Sequence, residues 1–148
     1  METIVVGADG SEGAAAALEF AAGEAALRRA RLRVVSAWEI PVVAYGGGLA
    51  PPLDAETLDA LRGHTQEVAD AALATAKSLQ PLLEGEALAV EGQAAEVLLE
   101  QAAGAELIVV GNRGLGGFKS LLLGSVSQQV VHHATCPVVV VHRPATPS

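Results

Sequence analysis

What most constrains the fold of this chain is a repeated alternation of short apolar runs with stretches of helical spacing. Five segments have the length and β-branched content of strands: Thr3-Ile4-Val5-Val6, 32–38, 87–91, Leu107-Ile108-Val109-Val110 and 137–141. Between the first two, Ala14, Ala17, Leu18, Ala21 and Ala25 recur three and four residues apart, the period of one helix face. Leu58, Leu61, Val68, Ala72 and Ala76 do the same over 54–79, and shorter helices fit 94–102 and 125–134. The run Leu107–Val110 is apolar without alternation, as a strand covered on both faces requires. The order β-α-β-α-β-α-β-α-β predicts an α/β fold, a doubly wound parallel sheet joined by right-handed crossovers.

Local punctuation agrees with that order. Asp9-Gly10-Ser11-Glu12 turns out of the first strand with helix-start residues, and Asp54 opens the second helix. Gly104 stands where a helix C′ glycine is expected after the third. The stretch EIPVVAYGGGLAPP, with three glycines and three prolines, reads as loop. One domain is expected over 1–143, with a short tail at 144–148 and no internal repeat.

Composition narrows the class of partner. The formal charge is −8 and only nine residues are basic, which argues against non-specific nucleic-acid binding, since that depends on phosphate neutralisation. Four arginines (Arg28, Arg29, Arg31, Arg33) cluster near the end of the first helix and read as a charge bias complementing its dipole. The single cysteine, Cys136, excludes an internal disulfide and in its TCPVVVV context reads as a buried, inert thiol. There is neither a signal-peptide pattern nor an apolar run long enough to span a bilayer, so a soluble cytoplasmic protein is expected, with no membrane partner.

The chemistry-bearing stretch is VVGNRGLGGFKSLLLGSVSQQV, 109–130. It follows the clearest strand and precedes a helix, and ligands of open α/β sheets bind beyond strand carboxyl ends where the strand order reverses. Glycine lets backbone N–H groups approach an anion without a Cβ in the way. A helix start at Gly124-Ser125 adds N–H groups, a hydroxyl and the positive dipole end, each such dipole interaction worth about 0.3–1 kcal/mol when exposed. Arg113 and Lys119 would offset phosphate charge. On glycine content alone, a flexible loop with a helix cap explains the stretch as well as an anion site does. It is not a Walker A loop, and neither glycine turn completes a dinucleotide fingerprint.

The spacing Gly111-x2-Gly114-x9-Gly124-Ser125 resembles the ATP-binding signature of the universal stress protein family. IVVGADGSE and SVSQQVVHHATCPVVVV resemble that family's first strand with its Asp, and its last helix and strand; the resemblance covers 3–142. It implies a single-domain, Rossmann-like sheet of five strands in the order 3-2-1-4-5, and a homodimer formed through the last strand, Val138–Val141. It also implies ATP at the carboxyl ends of strands 1 and 4, with Mg2+ held mainly by the phosphates and no protein metal site. Gly111, Gly114, Gly124 and Ser125 would contact phosphates, with Arg113, Gly116 and Gly117 in the same segment; Asp9 would bond the ribose with Gly7 beside it, and backbone near Ala37 and Val110 would meet adenine. Asp9 has a structural alternative as an N-cap or Asx-turn residue, and one residue can serve both purposes. Asn112 stands where the family often has Ser or Thr, and the loop 39–53 is the part the resemblance informs least. Gly116 and Gly117 are otherwise assigned only to flexibility or extra donors.

No catalytic residue is assigned. His132 and His133 are adjacent on one helix and diverge by about 100°, and His64 and His142 lie elsewhere, so no ligand spacing for a metal exists. No G-x-S-x-G elbow is present, and no general base is aimed at a phosphate. The resemblance implies a stress-response binder whose hydrolysis is slow or absent. The alternatives are a dimeric, chaperone-like interaction protein of the non-nucleotide branch, which generally lacks the full glycine spacing, and a slow ATPase; the client is not legible. Trp38, the sole tryptophan, reads as core or loop packing and as a fluorescence reporter.

Overall fold

The computed structural model describes residues 1–40, 44–45, 48–49, 54–112 and 123–142. Its elements are β1 (Thr3–Gly7), α1 (Glu12–Arg28), β2 (Arg31–Trp38), β3 (Ala44–Tyr45), β4 (Gly48–Leu49), α2 (Ala55–Leu79), β5 (Gly85–Glu91), α3 (Ala94–Gln101), β6 (Leu107–Gly111), α4 (Ser125–His133) and β7 (Val138–Val141). The five long strands form one parallel sheet in the order β5-β2-β1-β6-β7, the expected 3-2-1-4-5 arrangement.

The sheet holds together because its central strand is apolar on both faces. Ile4, Val5 and Val6 are all fully buried, as are Val34 of β2 and Val109 of β6, which pair with Val6 from either side. Ile4 and Val6 face α1 and α2 through Ala17, Leu18, Ala21, Ala25 and Ala76. Val5, Val35, Ile108 and Val110 face α3 and α4 through Ala95, Val97, Leu98 and Val130. Alanines on α1 let that helix lie close to the sheet, which is how a core with so few aromatics reaches close packing.

Several helix ends follow from single residues. Ser11 Oγ accepts from Ala14 N (3.1 Å) and caps α1. Arg29 closes α1 in a left-handed conformation (φ 54°), and Ala30 N donates to Ala25 O (2.8 Å) in a Schellman-type arrangement. Asp54 caps α2, its Oδ1 accepting from Thr57 N at 2.7 Å. α3 ends at Gln101 with Ala102 as its cap, so Gly104 (φ 79°) lies beyond the C′ position expected for it.

Three expectations are corrected. The stretch 39–52 is not loop throughout: β3 and β4 form a small antiparallel pair, Ala44 opposite Leu49 and Tyr45 opposite Gly48. Between them the sequence is Gly46-Gly47, a pair suited to two-residue hairpin turns, a signal outweighed by the prolines around it. The arginine cluster does not act as a unit at the end of α1. Arg28 bonds Glu24 one turn back, whereas Arg33 lies on β2 and donates to Glu86 Oε1 (2.7 Å) and to Gln101 O (2.9 Å) at the end of α3. Cys136 is only partly buried: it lies in the connection to β7 and packs against the core on the α3 and α4 side of the sheet. The expected tail, 144–148, lies outside the described residues.

Candidate functional site

β1 has β2 on one side and β6 on the other. The chain winds outward through β2 and β5, then returns to β6 and continues to β7. The order therefore reverses between β1 and β6, and a crevice is expected beyond their carboxyl ends.

The β1 lip is a rigid turn. Ala8 N donates to Val35 O (2.9 Å), and Ser36 Oγ donates to Ala8 O (2.7 Å), so both polar groups of Ala8 are tied to β2. Gly10 follows at φ 82°, a conformation that favours glycine. Asp9 Oδ1 accepts from Ser11 N (2.9 Å), an Asx turn, while the capping role belongs to Ser11. Asp9 is exposed, and the turn engages only one of its carboxylate oxygens.

The β6 lip is built from Gly111, Asn112 and the start of α4. Gly111 pairs with Val141, and Asn112 N donates to Val141 O (3.0 Å), extending the ladder one residue. Asn112 O then accepts from the Gly124 amide, which brings the first residue of the α4 boundary against the end of β6. Gly124 is the N-cap of α4 and has no side chain to cap it. The first intrahelical bond is Gln128 N to Gly124 O (3.0 Å), so the helix pattern leaves the amides of Ser125, Val126 and Ser127 without an intrahelical acceptor. These amides carry the positive end of the α4 dipole, and Ser125 is exposed.

Gly111 has a further reason to be glycine. A Cβ there would lie 2.6 Å from Gly13 O, so the close approach of α1 to β6 itself requires the missing side chain. Gly7 is less constrained, its would-be Cβ meeting Leu98 Cδ1 at 3.2 Å. Ala37 pairs with Val90 near the end of β2, and Val110 pairs with Val140 near the end of β6. Gly7, Asp9, Ala37, Val110, Gly111, Gly124 and Ser125 thus all belong to the carboxyl end of the sheet. Arg113, Gly114, Gly116 and Gly117 lie outside the described residues.

Two residues of this region carried no site assignment from the sequence. Ser36 and Ser127 are buried, and each directs its hydroxyl at the carbonyl just past a strand end: Ala8 after β1, Asn112 after β6. Serine is an ordinary residue at a strand end or in a first helical turn, so nothing in its type announced this use. Trp38, 7% exposed, closes β2 with the Arg62 guanidinium 5.6 Å above its ring. Among the described residues, no three or more His, Cys, Asp or Glu side chains gather as a metal group, and no helix is long and apolar enough to cross a membrane.

Comparison with known proteins places this geometry. The family model described as "Universal stress protein family" matches residues 1–142. A Thermus aquaticus protein, "Universal stress protein in QAH/OAS sulfhydrylase 3'region", is 42% identical over 142 residues, covering 95% of this chain and 98% of its own. Against mycobacterial relatives at 33–35% identity, the chain spans about half their length (44–47%). Among solved structures, a universal stress protein in complex with cAMP superposes with a TM-score of 0.72 at 28% identity, covering 95% of this chain and 96% of that one. The universal stress protein from Archaeoglobus fulgidus in complex with dAMP gives a TM-score of 0.65 at 27% identity, covering 95% and 97%.

Proposed function

The chain belongs to the universal stress protein family, and from that membership we propose that it binds an adenine nucleotide, ATP with Mg2+, beyond the ends of β1 and β6. The observation that carries this reading is the α4 N-terminus tied by Gly124 to Asn112. It sets the Ser125, Val126 and Ser127 amides beside the strand-order reversal. Two relatives of the same fold are described with cAMP and with dAMP, so an adenine and a phosphate are chemistry this architecture accommodates.

In this reading Gly111, Gly114 and Ser125 meet the phosphates and Gly124 passes beside them without its amide, with Arg113, Gly116 and Gly117 supplying charge and further donors. Because the Gly124 amide is committed to Asn112 O, the donors α4 offers are those that follow it. The second oxygen of Asp9 accepts from a ribose hydroxyl while the first holds the Asx turn. Gly7 lies beside it, and backbone near Ala37 and Val110 meets the adenine. Mg2+ is held mainly by the phosphates, as this ion commonly is.

The protein acts as a binder in a stress-response or regulatory role in the cytoplasm. Efficient hydrolysis would need an oriented water and charge stabilisation beyond binding. Homodimerisation uses the last strand: Val138, Val139, Val140 and Val141 are each only partly buried, on a sheet edge that a second copy would cover.

Calorimetric melting tests the reading. A ligand bound only by the native state at a hundredfold excess over Kd stabilises by about 2.7 kcal/mol. Refolded, nucleotide-free protein is expected to melt higher with Mg-ATP or AMP than with Mg-GTP. No shift with any adenine nucleotide at millimolar concentration refutes it.

A further inference from the structure

Ser127 stands out because its hydroxyl reaches the two ends of the glycine-rich segment at once. It is 2% exposed, and Oγ lies 3.0 Å from both Asn112 O and Gly124 O. One hydroxyl proton serves these acceptors in alternation or as a three-centre bond. Asn112 O receives a second donor from α4, the Gly124 amide, while Asn112 N is fixed to Val141 O. A continuous run of hydrogen bonds therefore joins β7 to the end of β6 and then to the first turn of α4.

Resting on the nucleotide reading above, we propose that Ser127 is a positioning residue for phosphate binding. It is buried, and its hydroxyl is engaged by the protein's own carbonyls, so its role is to aim donors rather than to contact a ligand. Val126 and Val130 hold α4 in the core, but the Gly124 amide alone would be a single-point polar attachment of its first turn to the end of β6. The Ser127 hydroxyl, one turn along the helix and directed at the same carbonyl, makes the attachment two-point. That fixes the direction in which the Ser125 and Val126 amides face, and a phosphate needs several such donors converging together. Alanine at 127 would leave Asn112 O with the Gly124 amide and so would not orphan a buried acceptor. The main loss then falls on geometry, not on the fold.

The test compares full-length wild type with Ser127→Ala and Ser127→Thr at a temperature where circular dichroism shows all three folded. Mg-ATP and AMP affinities are measured by titration calorimetry, and exchange of the Gly124 amide is followed by NMR. Ser127→Ala is expected to bind roughly tenfold more weakly, the worth of about one hydrogen bond, and to exchange its Gly124 amide faster. Ser127→Thr restores both; if its extra methyl prevents folding, Ser127→Cys, with a weaker donor, is expected between wild type and alanine. Unchanged affinity in Ser127→Ala overturns the positioning role, whatever its exchange does. Wild type that binds neither nucleotide, while Ser127→Ala still loosens the Gly124 amide, shows that the nucleotide reading has failed and leaves Ser127 a structural clamp only.

Discussion

Gly111→Ala separates the two reasons for a glycine at the end of β6. The added Cβ would sit 2.6 Å from Gly13 O, 2.7 Å from its carbonyl carbon and 3.2 Å from its Cα. Ordinary van der Waals contact begins at 3.4 Å, so α1 or β6 must retreat by roughly 0.8 Å. Every atom in the way is backbone of another glycine, so no side chain can swing aside. Overpacking of a buried site costs about 1–3 kcal/mol, and obstruction by backbone places this case at about 2–3. In a domain of this size each kcal/mol lowers the melting temperature by about 2–4 °C, so Gly111→Ala should melt about 4–12 °C below wild type. The control is Gly7→Ala, whose Cβ would meet the movable Leu98 Cδ1 at 3.2 Å and should cost less than about 1 kcal/mol. Both variants are refolded from denaturant to remove any bound nucleotide and scanned by calorimetry in nucleotide-free buffer. Should Gly111→Ala melt within about 1 °C of wild type, the packing argument is wrong.

Two further predictions concern titrating groups. The Thr57 hydroxyl and amide hold the Asp54 carboxyl below its ordinary value of 3.8. Its folded-state value is thus depressed, so its contribution is present above the unfolded value and lost as pH falls through the folded one. Thermal melts of wild type and Asp54→Ala should differ near neutral pH, and the gap should narrow as pH falls below 3.8 because the charged acceptor is replaced by a weaker neutral one. Asp54→Asn, which keeps a capping oxygen, stays near wild type at pH 7; no gap between wild type and Asp54→Ala at pH 7 refutes the capping assignment. Burial, aided by the charge of Glu106 and opposed by a backbone hydrogen bond, pushes the Cys136 thiol up. Since the thiolate is the nucleophile, alkylation at about pH 8 should be slower in native than in denatured protein, and equal rates would show that the thiol is not desolvated.

The fold was legible because its signals are periodic and redundant. The uninterrupted apolar run at Leu107–Val110 could only be a strand covered on both faces, and α1 announced itself by the spacing of Ala14, Ala17, Leu18, Ala21 and Ala25. Where the reading failed, one local signal competed with another. Proline and glycine content outweighed the Gly46-Gly47 pair of the β3–β4 hairpin, and sequence adjacency grouped Arg33 with Arg28 although β2 carries it away to Glu86. Cys136 misled for a similar reason: apolar neighbours in sequence do not guarantee full burial in space, and the connection into β7 leaves this thiol only partly covered by the core it touches.

The candidate site shows the same limit more sharply, because residue type states what a group can do and not what it is already doing. Gly124 has the type and position of a phosphate donor, yet its amide closes onto Asn112 O. Gly111 has the type of an anion-loop glycine, yet the Gly13 backbone already forbids a side chain there. Asp9 has the type of a cap, yet Ser11 caps the helix and Asp9 keeps one oxygen out of its own turn. On the nucleotide reading proposed above, the donors of α4 would be the amides after Gly124, and Asp9 would offer the oxygen that its turn leaves out. A spacing such as Gly111-x2-Gly114-x9-Gly124-Ser125 therefore marks where backbone must come close. Partners distant in sequence, such as Gly13, Ser36 and Ser127, decide which backbone groups the protein itself already uses.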